Sequence, residues 1–288
     1  MSFWEIFFFI IGIAIASAQS TRPGQNVYRF PNARVLATQQ EVADYGHPLR
    51  VVVDDGEQRA IKYVFLDSKL LQAGYPTGSE QVPFDLPHLP PGDWNEAHIH
   101  LDRHTRTPSI TNTTRTSQLG IMHNWHPRKI DYLEFVNVET LQQDRMQVVA
   151  HPDFDAPILI KIASFPWEIP SLEQEVSVYR LLHGSGVAPE FLGHVTEGGR
   201  TIGFITEYIR EMSSIRARSM QGCLIALRSL HQRGIAHGDA HEGNCLIRED
   251  GSSVLIDFEL SVETWLPEEF ERDLDIMGRC IQAISEPS

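Results

Sequence analysis

Short apolar runs separated by turn-forming clusters run along most of the chain. Residues 49–53 and 60–65 flank Asp54-Asp55-Gly56 and read as a β-hairpin. Pro83, Pro87, Pro90, Pro91 and Gly92 interrupt any regular element, with Trp94 just beyond, where packing is expected over pocket lining. Residues 105–117 are rich in Ser and Thr with almost no large apolar side chains, and read as a solvated loop or linker. From Asp131 the pattern changes to strands over 132–136, 145–150 and 157–163, the last a nearly continuous apolar run around Lys161.

A helix is expected to open at Ser171, with Pro170 before it and Gln174 as its capping-box partner, and to close at Gly184. On a helical wheel Leu172, Val176, Tyr179 and Leu182 share one face. Glu175 falls inside that apolar stripe, whereas Glu173 sits with Ser177 and Arg180 on the solvent side. A carboxylate on a buried face is costly without a partner, and Lys161 is the available one. Strands over 190–195 and 201–207 follow, joined at Glu197-Gly198-Gly199, and then a helix over 214–233 with Cys223, Leu227 and Leu230 on one face and Gly234 as its stop. The fold class is α+β.

Directly after that helix come His237-Gly238-Asp239-Ala240-His241-Glu242-Gly243-Asn244, and 13 residues beyond Asn244 lies Asp257-Phe258-Glu259. Residues 245–248 and 253–256 form a hairpin around Asp250-Gly251 that brings Asn244 and Asp257 together. Two such oxygen donors suit a hard divalent cation, which in nucleotide chemistry is magnesium. Asp239 then stands where an acceptor hydroxyl must lose its proton.

An HxDxxxxN loop followed by a strand-flanked DFE resembles the catalytic core of the protein-kinase-like superfamily. HGDxHxGN with DFE is closest in motif to the aminoglycoside phosphotransferase and choline kinase branch, and to small fungal kinase-like proteins. The resemblance covers roughly residues 131–281. It implies a bilobal fold with a small antiparallel-sheet N-lobe (127–209) and a minimal helical C-lobe (210–288), preceded by an accessory region over 19–126. It also implies ATP and Mg2+ as cofactors. Lys161 would hold the α- and β-phosphates with Glu175 as its helix partner, and Asp239 would be the catalytic base. Asn244 and Asp257 would be the metal ligands, and Glu207, Tyr208 and Ile209 the hinge offering backbone groups to adenine. Asp273, followed by Gly278, resembles the buried acid that holds the catalytic loop's backbone, and an ordinary surface role fits it as well. His237 would orient the loop; His241 and Glu242 would contact the loop or the substrate.

Two departures matter. No glycine occurs between Gly120 and Gly184, so the Gly-rich phosphate loop is absent. Only a short stretch separates Asp257 from Asp273, with no APE-like segment to dock a peptide. The implied activity is therefore transfer of a γ-phosphoryl group to the hydroxyl of a small molecule. The alternatives are a pseudokinase or nucleotide-binding interaction module and, behind it, an atypical protein kinase.

Net charge is −14, which excludes nucleic acid as an expected partner. Residues 6–18 are uncharged and end in Ala16-Ser17-Ala18, a signal-peptide pattern that lacks the usual basic start and carries Glu5. The stretch is too short for a stable membrane span. Cleavage there would send the chain to the secretory pathway and make Asn112-Thr113-Thr114 a glycan acceptor; a cytoplasmic location is the alternative. Three scattered cysteines without ligand spacing predict reduced, mostly buried thiols and neither a disulfide framework nor a zinc site.

Overall fold

The computed structural model describes residues 28–39, 46–54, 56, 58–72, 84–142, 144–210 and 213–285, and the chain divides into two compact units, Met1–Gln118 and Leu119–Ser288. The architecture is mixed α+β. The leader over residues 1–18 lies outside the described residues. Among those described, no helix is long and apolar enough to cross a membrane.

The first unit contains β1 (Tyr28–Arg29), β2 (Ala33–Thr38), β3 (His47–Asp54), β4 (Arg59–Leu66), α1 (Ser68–Gln72), β5 (Phe84–Asp85), β6 (Glu96–Leu101) and β7 (Pro108–Thr114). Five strands form one sheet in the order β2-β3-β4-β6-β7, with β4 and β6 parallel and the other pairs antiparallel. The β3–β4 hairpin closes at Asp54 as the spacing predicts. Its alternation puts Leu49, Val51, Val53, Val64 and Leu66 into one core with Leu89, Trp94 and Ile99. Trp94 is packed here, donating Nε1 to the Pro90 carbonyl and lying 4.0 Å beneath the Lys62 ammonium.

The expected loop over 105–117 is in good part the edge strand β7. Its Ile110, Thr111, Thr113 and Thr114 are β-branched, a preference for extended backbone that outweighs the polarity of the segment. Asn112 is exposed on that strand.

The second unit holds β8 (Lys129–Asp131), β9 (Val136–Gln142), β10 (Met146–Ala150), β11 (Ile158–Ile162), α2 (Ile169–Leu182), β12 (Phe191–Glu197) and β13 (Arg200–Glu207). It continues with α3 (Ser213–His231), β14 (Ile235–Ala236), β15 (Cys245–Ile247), β16 (Ser253–Leu255), β17 (Val262–Glu263) and α4 (Pro267–Ser285). Strands β8 to β13 make a six-stranded sheet in the order β8-β12-β13-β11-β10-β9, antiparallel except for β8 against β12. The period of two along β11 turns Ile158, Ile160 and Ile162 to one face, where they pack with Ile130, Val149, Val195, Ile202 and Ile205. Leu159 and Lys161 therefore face the other side. A glycine is required at 203, because a Cβ there would lie 2.2 Å from the Lys161 carbonyl oxygen.

Against that other face lies α2, burying Leu172, Val176, Tyr179 and Leu182 as the wheel predicts. The helix starts at Ile169 rather than Ser171, since Pro170 is acceptable in a first turn whose N–H groups are unpaired anyway. Glu173 is less free than its solvent-side position implies: it accepts from the backbone of Met122 and His123 and pairs with the His123 ring. The expected strand over 132–136 is instead a 3-10 turn, Tyr132–Glu134, capped reciprocally by Asp131 and Glu134.

The core beside α2 continues without a break through Phe204, Phe258, Cys223, Leu227, Leu230 and Met277, joining sheet to helices. The cysteine expectation is corrected in this core. Cys223 on α3 and Cys245 at the start of β15 form a disulfide, because the helix packs on the β15–β16 hairpin with the two Cα atoms 5.9 Å apart. Closing a loop over 22 positions of sequence stabilises the fold by about 3 kcal/mol in the chain-entropy account. Cys280 is a free thiol.

His194 is buried on β12 among Trp125, Phe191 and the ring of His126, accepts at Nε2 from the His126 N–H, and has a buried Nδ1 without a partner. Burial, with His126 and Lys129 nearby, lowers its pKa to about 4. A folded-state pKa below the unfolded value makes stability fall as pH drops from about 6.5 towards 4. Between pH 7 and 5 this group alone is expected to remove about 2 kcal/mol. Urea midpoints at the two pH values test this: His194→Asn, which does not titrate, should lose less stability than the wild type, and an equal loss would contradict it.

Candidate functional site

Lys161 is almost fully buried, and three carboxylates converge on its ammonium. Glu175 Oε2 lies 2.7 Å away, Asp257 Oδ1 2.7 Å and Glu259 Oε1 2.8 Å. Glu175 Oε2 meets the ammonium as a close ion pair; its Oε1 accepts from the Phe258 N–H at 3.3 Å. Burial works against the charged Lys161, but Glu175, Asp257 and Glu259 outweigh it and hold its pKa above the ordinary lysine value. For Glu175, burial pushes the carboxyl up and Lys161 opposes that. The partner predicted from the helical wheel is thus the partner observed, whereas Glu259 is named from sequence only as part of the DFE motif, with no role of its own. It also receives Arg145 Nη2 at 2.6 Å, a contact between residues 114 positions apart that no local pattern announces.

The carboxylates of Glu175, Asp257 and Glu259 lie close enough to share a cation. Lys161 already neutralises part of that charge, so the cluster alone does not call for a metal. A more specific set of oxygens sits beside it. Asn244 donates Nδ2 to the Asp239 carbonyl at 2.9 Å and to Asp239 Oδ2 at 3.2 Å. Among the described residues, Asn244 Oδ1 and Asp257 Oδ2 accept no hydrogen bond. Both residues line one cavity. The β15–β16 hairpin brings them together as expected, pairing Cys245 with Leu255, and the Ile256 N–H bonds the Asn244 carbonyl at 3.0 Å. Asp257 adopts a left-handed backbone, φ 65° and ψ 64°, unusual for a residue with a side chain.

The cavity is about 400 Å³ and is lined by Lys161, Glu175, Glu207, Tyr208, Ile209, Asn244 and Asp257, all of them singled out from sequence. Its apolar walls come from Leu141, Met146 and Leu159 of the sheet and from Leu246 and Ile256 of the hairpin, with Phe204 and Tyr179 between. The cavity is therefore apolar along these walls and polar where Lys161, Glu175, Asn244 and Asp257 line it. Glu207 is engaged within the fold. Its N–H bonds the Glu190 carbonyl, and its carboxylate accepts from the Glu190 N–H and pairs with Arg248. No described residue engages the backbone of Tyr208 or Ile209, so their groups are the ones available to a ligand.

Asp239 is half-exposed, outside the cavity lining but tied to it through Asn244. His241 Nε2 stands 3.6 Å from its Oδ2. The loop is held from beneath. Asp273 on α4 is buried and accepts from the N–H of His237 at 2.6 Å, that of Gly238 at 3.0 Å, and His231 Nε2 at 2.9 Å. Burial raises the Asp273 carboxyl, but these donors prevail and its pKa lies below the usual value. The reading of Asp273 as the acid holding this loop agrees with that geometry. His237 Nε2 donates to the Ile256 carbonyl, 3.1 Å away, its Nδ1 accepts from the Asp239 N–H, and burial, against the pull of Asp273, lowers its pKa. It positions the loop and does not face the cavity. Gly238 takes φ 81° and passes so close to Leu260 that a Cβ would lie 2.3 Å from its carbonyl oxygen.

No family model matches the sequence, and no curated protein matches it.

Proposed function

We propose that the unit over residues 119–288 is an ATP-dependent phosphotransferase that delivers a γ-phosphoryl group to the hydroxyl of a small molecule. The observation that carries the reading is the meeting, at one cavity, of a buried lysine–glutamate pair with Asn244 Oδ1 and Asp257 Oδ2, two hard oxygen acceptors without a hydrogen-bond partner among the described residues. The sheet order β9-β10-β11-β13-β12, with α2 bearing Glu175 against it, is the arrangement that a protein-kinase-like N-lobe would require. The helices and the β15–β16 hairpin would then be the C-lobe.

In this reading Tyr208 and Ile209 offer backbone groups to the adenine edge between the aliphatic walls, and Lys161 binds the α- and β-phosphates. Asn244 and Asp257 would hold magnesium, which supplies charge neutralisation at the phosphates when bound. Asp239 orients the acceptor hydroxyl and takes its proton. Asp273 keeps the Asp239 loop in register. A small acceptor fits the short stretch between Asp257 and α4, which offers no extended peptide-docking segment.

Incubation of the full chain with γ-labelled ATP, magnesium and a panel of small alcohols, sugars and amino alcohols tests the activity. Label is expected on a small molecule. Label on protein alone would replace this with the protein-kinase reading, and no transfer by an ATP-binding chain would replace it with the nucleotide-binding module. The tight β9–β10 turn, without a Gly-rich loop, is the observation that favours the module.

The buried disulfide and the exposed Asn112 favour a secretory over a cytoplasmic location. A glycosidase should then increase the mobility of the chain expressed in eukaryotic cells; unchanged mobility together with free Cys223 and Cys245 thiols would sink this assignment.

A further inference from the structure

The β9–β10 hairpin stands where a glycine-rich loop would cover the phosphates, yet it turns without glycine. Asp144 supplies the left-handed residue, φ 64°, that a tight turn needs. The turn is then tied to the end of β11: the Ile162 N–H donates to the Arg145 carbonyl at 2.9 Å, and Ser164 Oγ donates to the Asp144 carbonyl. This fastening sets Arg145 next to the strand pair Met146–Lys161; it does not line the cavity itself and is joined to the cavity residue Lys161 through Glu259.

The Arg145 side chain is three-quarters buried, an uncommon position for an arginine at a hairpin tip. Its Nη2 donates to the same Glu259 oxygen that Lys161 contacts. Its Nε is buried and has no hydrogen-bond partner. Two cations thus share one carboxylate oxygen, and an N–H donor has been taken out of water without compensation. A buried donor left unpaired is costly, and an anion with several acceptor oxygens would remove that cost.

We infer that Arg145 is the phosphate-gripping residue of this site. The hairpin holds the terminal phosphates through a guanidinium side chain instead of through the backbone amides of a glycine-rich loop. The inference rests on the nucleotide reading above. An arginine is suited to it because its planar fork offers two parallel donors to phosphate oxygens, and the exchange replaces one charge-assisted bond, to Glu259, with others. Glu259 is the positioning residue that keeps Arg145 folded inward until phosphate arrives.

The test compares the full chain with its Arg145→Gln and Glu259→Gln variants by calorimetric titration with ATP, ADP and adenosine in magnesium, alongside thermal unfolding. Arg145→Gln is expected to weaken ATP about 10- to 100-fold, as the loss of charge-assisted hydrogen bonds does, and to leave adenosine within about twofold. Glu259→Gln, which removes one negative charge from both Arg145 and Lys161, should tighten ATP binding. Equal loss of ATP and adenosine, an unchanged ATP affinity, or equal weakening of ATP in both variants with lowered unfolding temperatures would overturn the role of Arg145. A folded wild type that binds neither ATP nor adenosine would overturn the nucleotide reading and this inference with it.

Discussion

Replacing Asp257 by alanine is expected to abolish magnesium-dependent ATP binding, by on the order of 100-fold or more, while the fold survives. Asp257 Oδ2 and Asn244 Oδ1 are two cavity oxygens that accept no hydrogen bond among the described residues, and on the proposed reading losing one halves the protein's ligand set for the cation. Stability should be little affected because Asp257 is one of three carboxylates on Lys161, and its side chain is 44% exposed. Lys161 keeps Glu175 and Glu259 in the variant, whereas an ammonium stripped of every partner would cost about 3–5 kcal/mol. Isothermal titration with and without magnesium measures the first half and thermal unfolding the second. Magnesium-dependent affinity retained in Asp257→Ala would show that the cation is held elsewhere.

Asp239→Asn should have the opposite profile. Asparagine keeps an oxygen to accept from Asn244 Nδ2, and the loop remains anchored by Asp273, so nucleotide affinity is expected to stay within about threefold. Turnover should fall by about 10²- to 10⁴-fold, the range that positioned proton acceptors contribute. The measurement is the transfer rate from labelled ATP in the two proteins, set beside their dissociation constants. Equal loss of binding in Asp239→Asn and Asp257→Ala would contradict the division of roles between base and metal ligand.

What the sequence made legible was local and periodic. The wheel over 172–182 separated Glu175 from Glu173 because one carboxylate fell among residues that a core must bury. The apolar run around Lys161 announced a strand, and the spacing from Asn244 to Asp257 announced the hairpin that joins them. Contacts that depend on three-dimensional approach left no such trace. Arg145 meets Glu259 across 114 positions, and Cys223 meets Cys245 only because a helix crosses a hairpin; neither spacing is a motif. Two further differences did carry a signal. The Asp131–Glu134 pair has the spacing of a capping box, and the β-branched residues of β7 favour extended backbone despite their polarity. Glu207 lines the cavity with Tyr208 and Ile209 as expected from sequence, but its N–H is already bonded to the Glu190 carbonyl, a contact that no local pattern announces.

The most direct test of the nucleotide site is calorimetric titration of the folded full chain with ATP, in magnesium and again in a chelator. The account predicts saturable binding in magnesium that weakens sharply in the chelator. A chain that unfolds cooperatively, and is therefore folded, yet takes up no ATP in magnesium would contradict it.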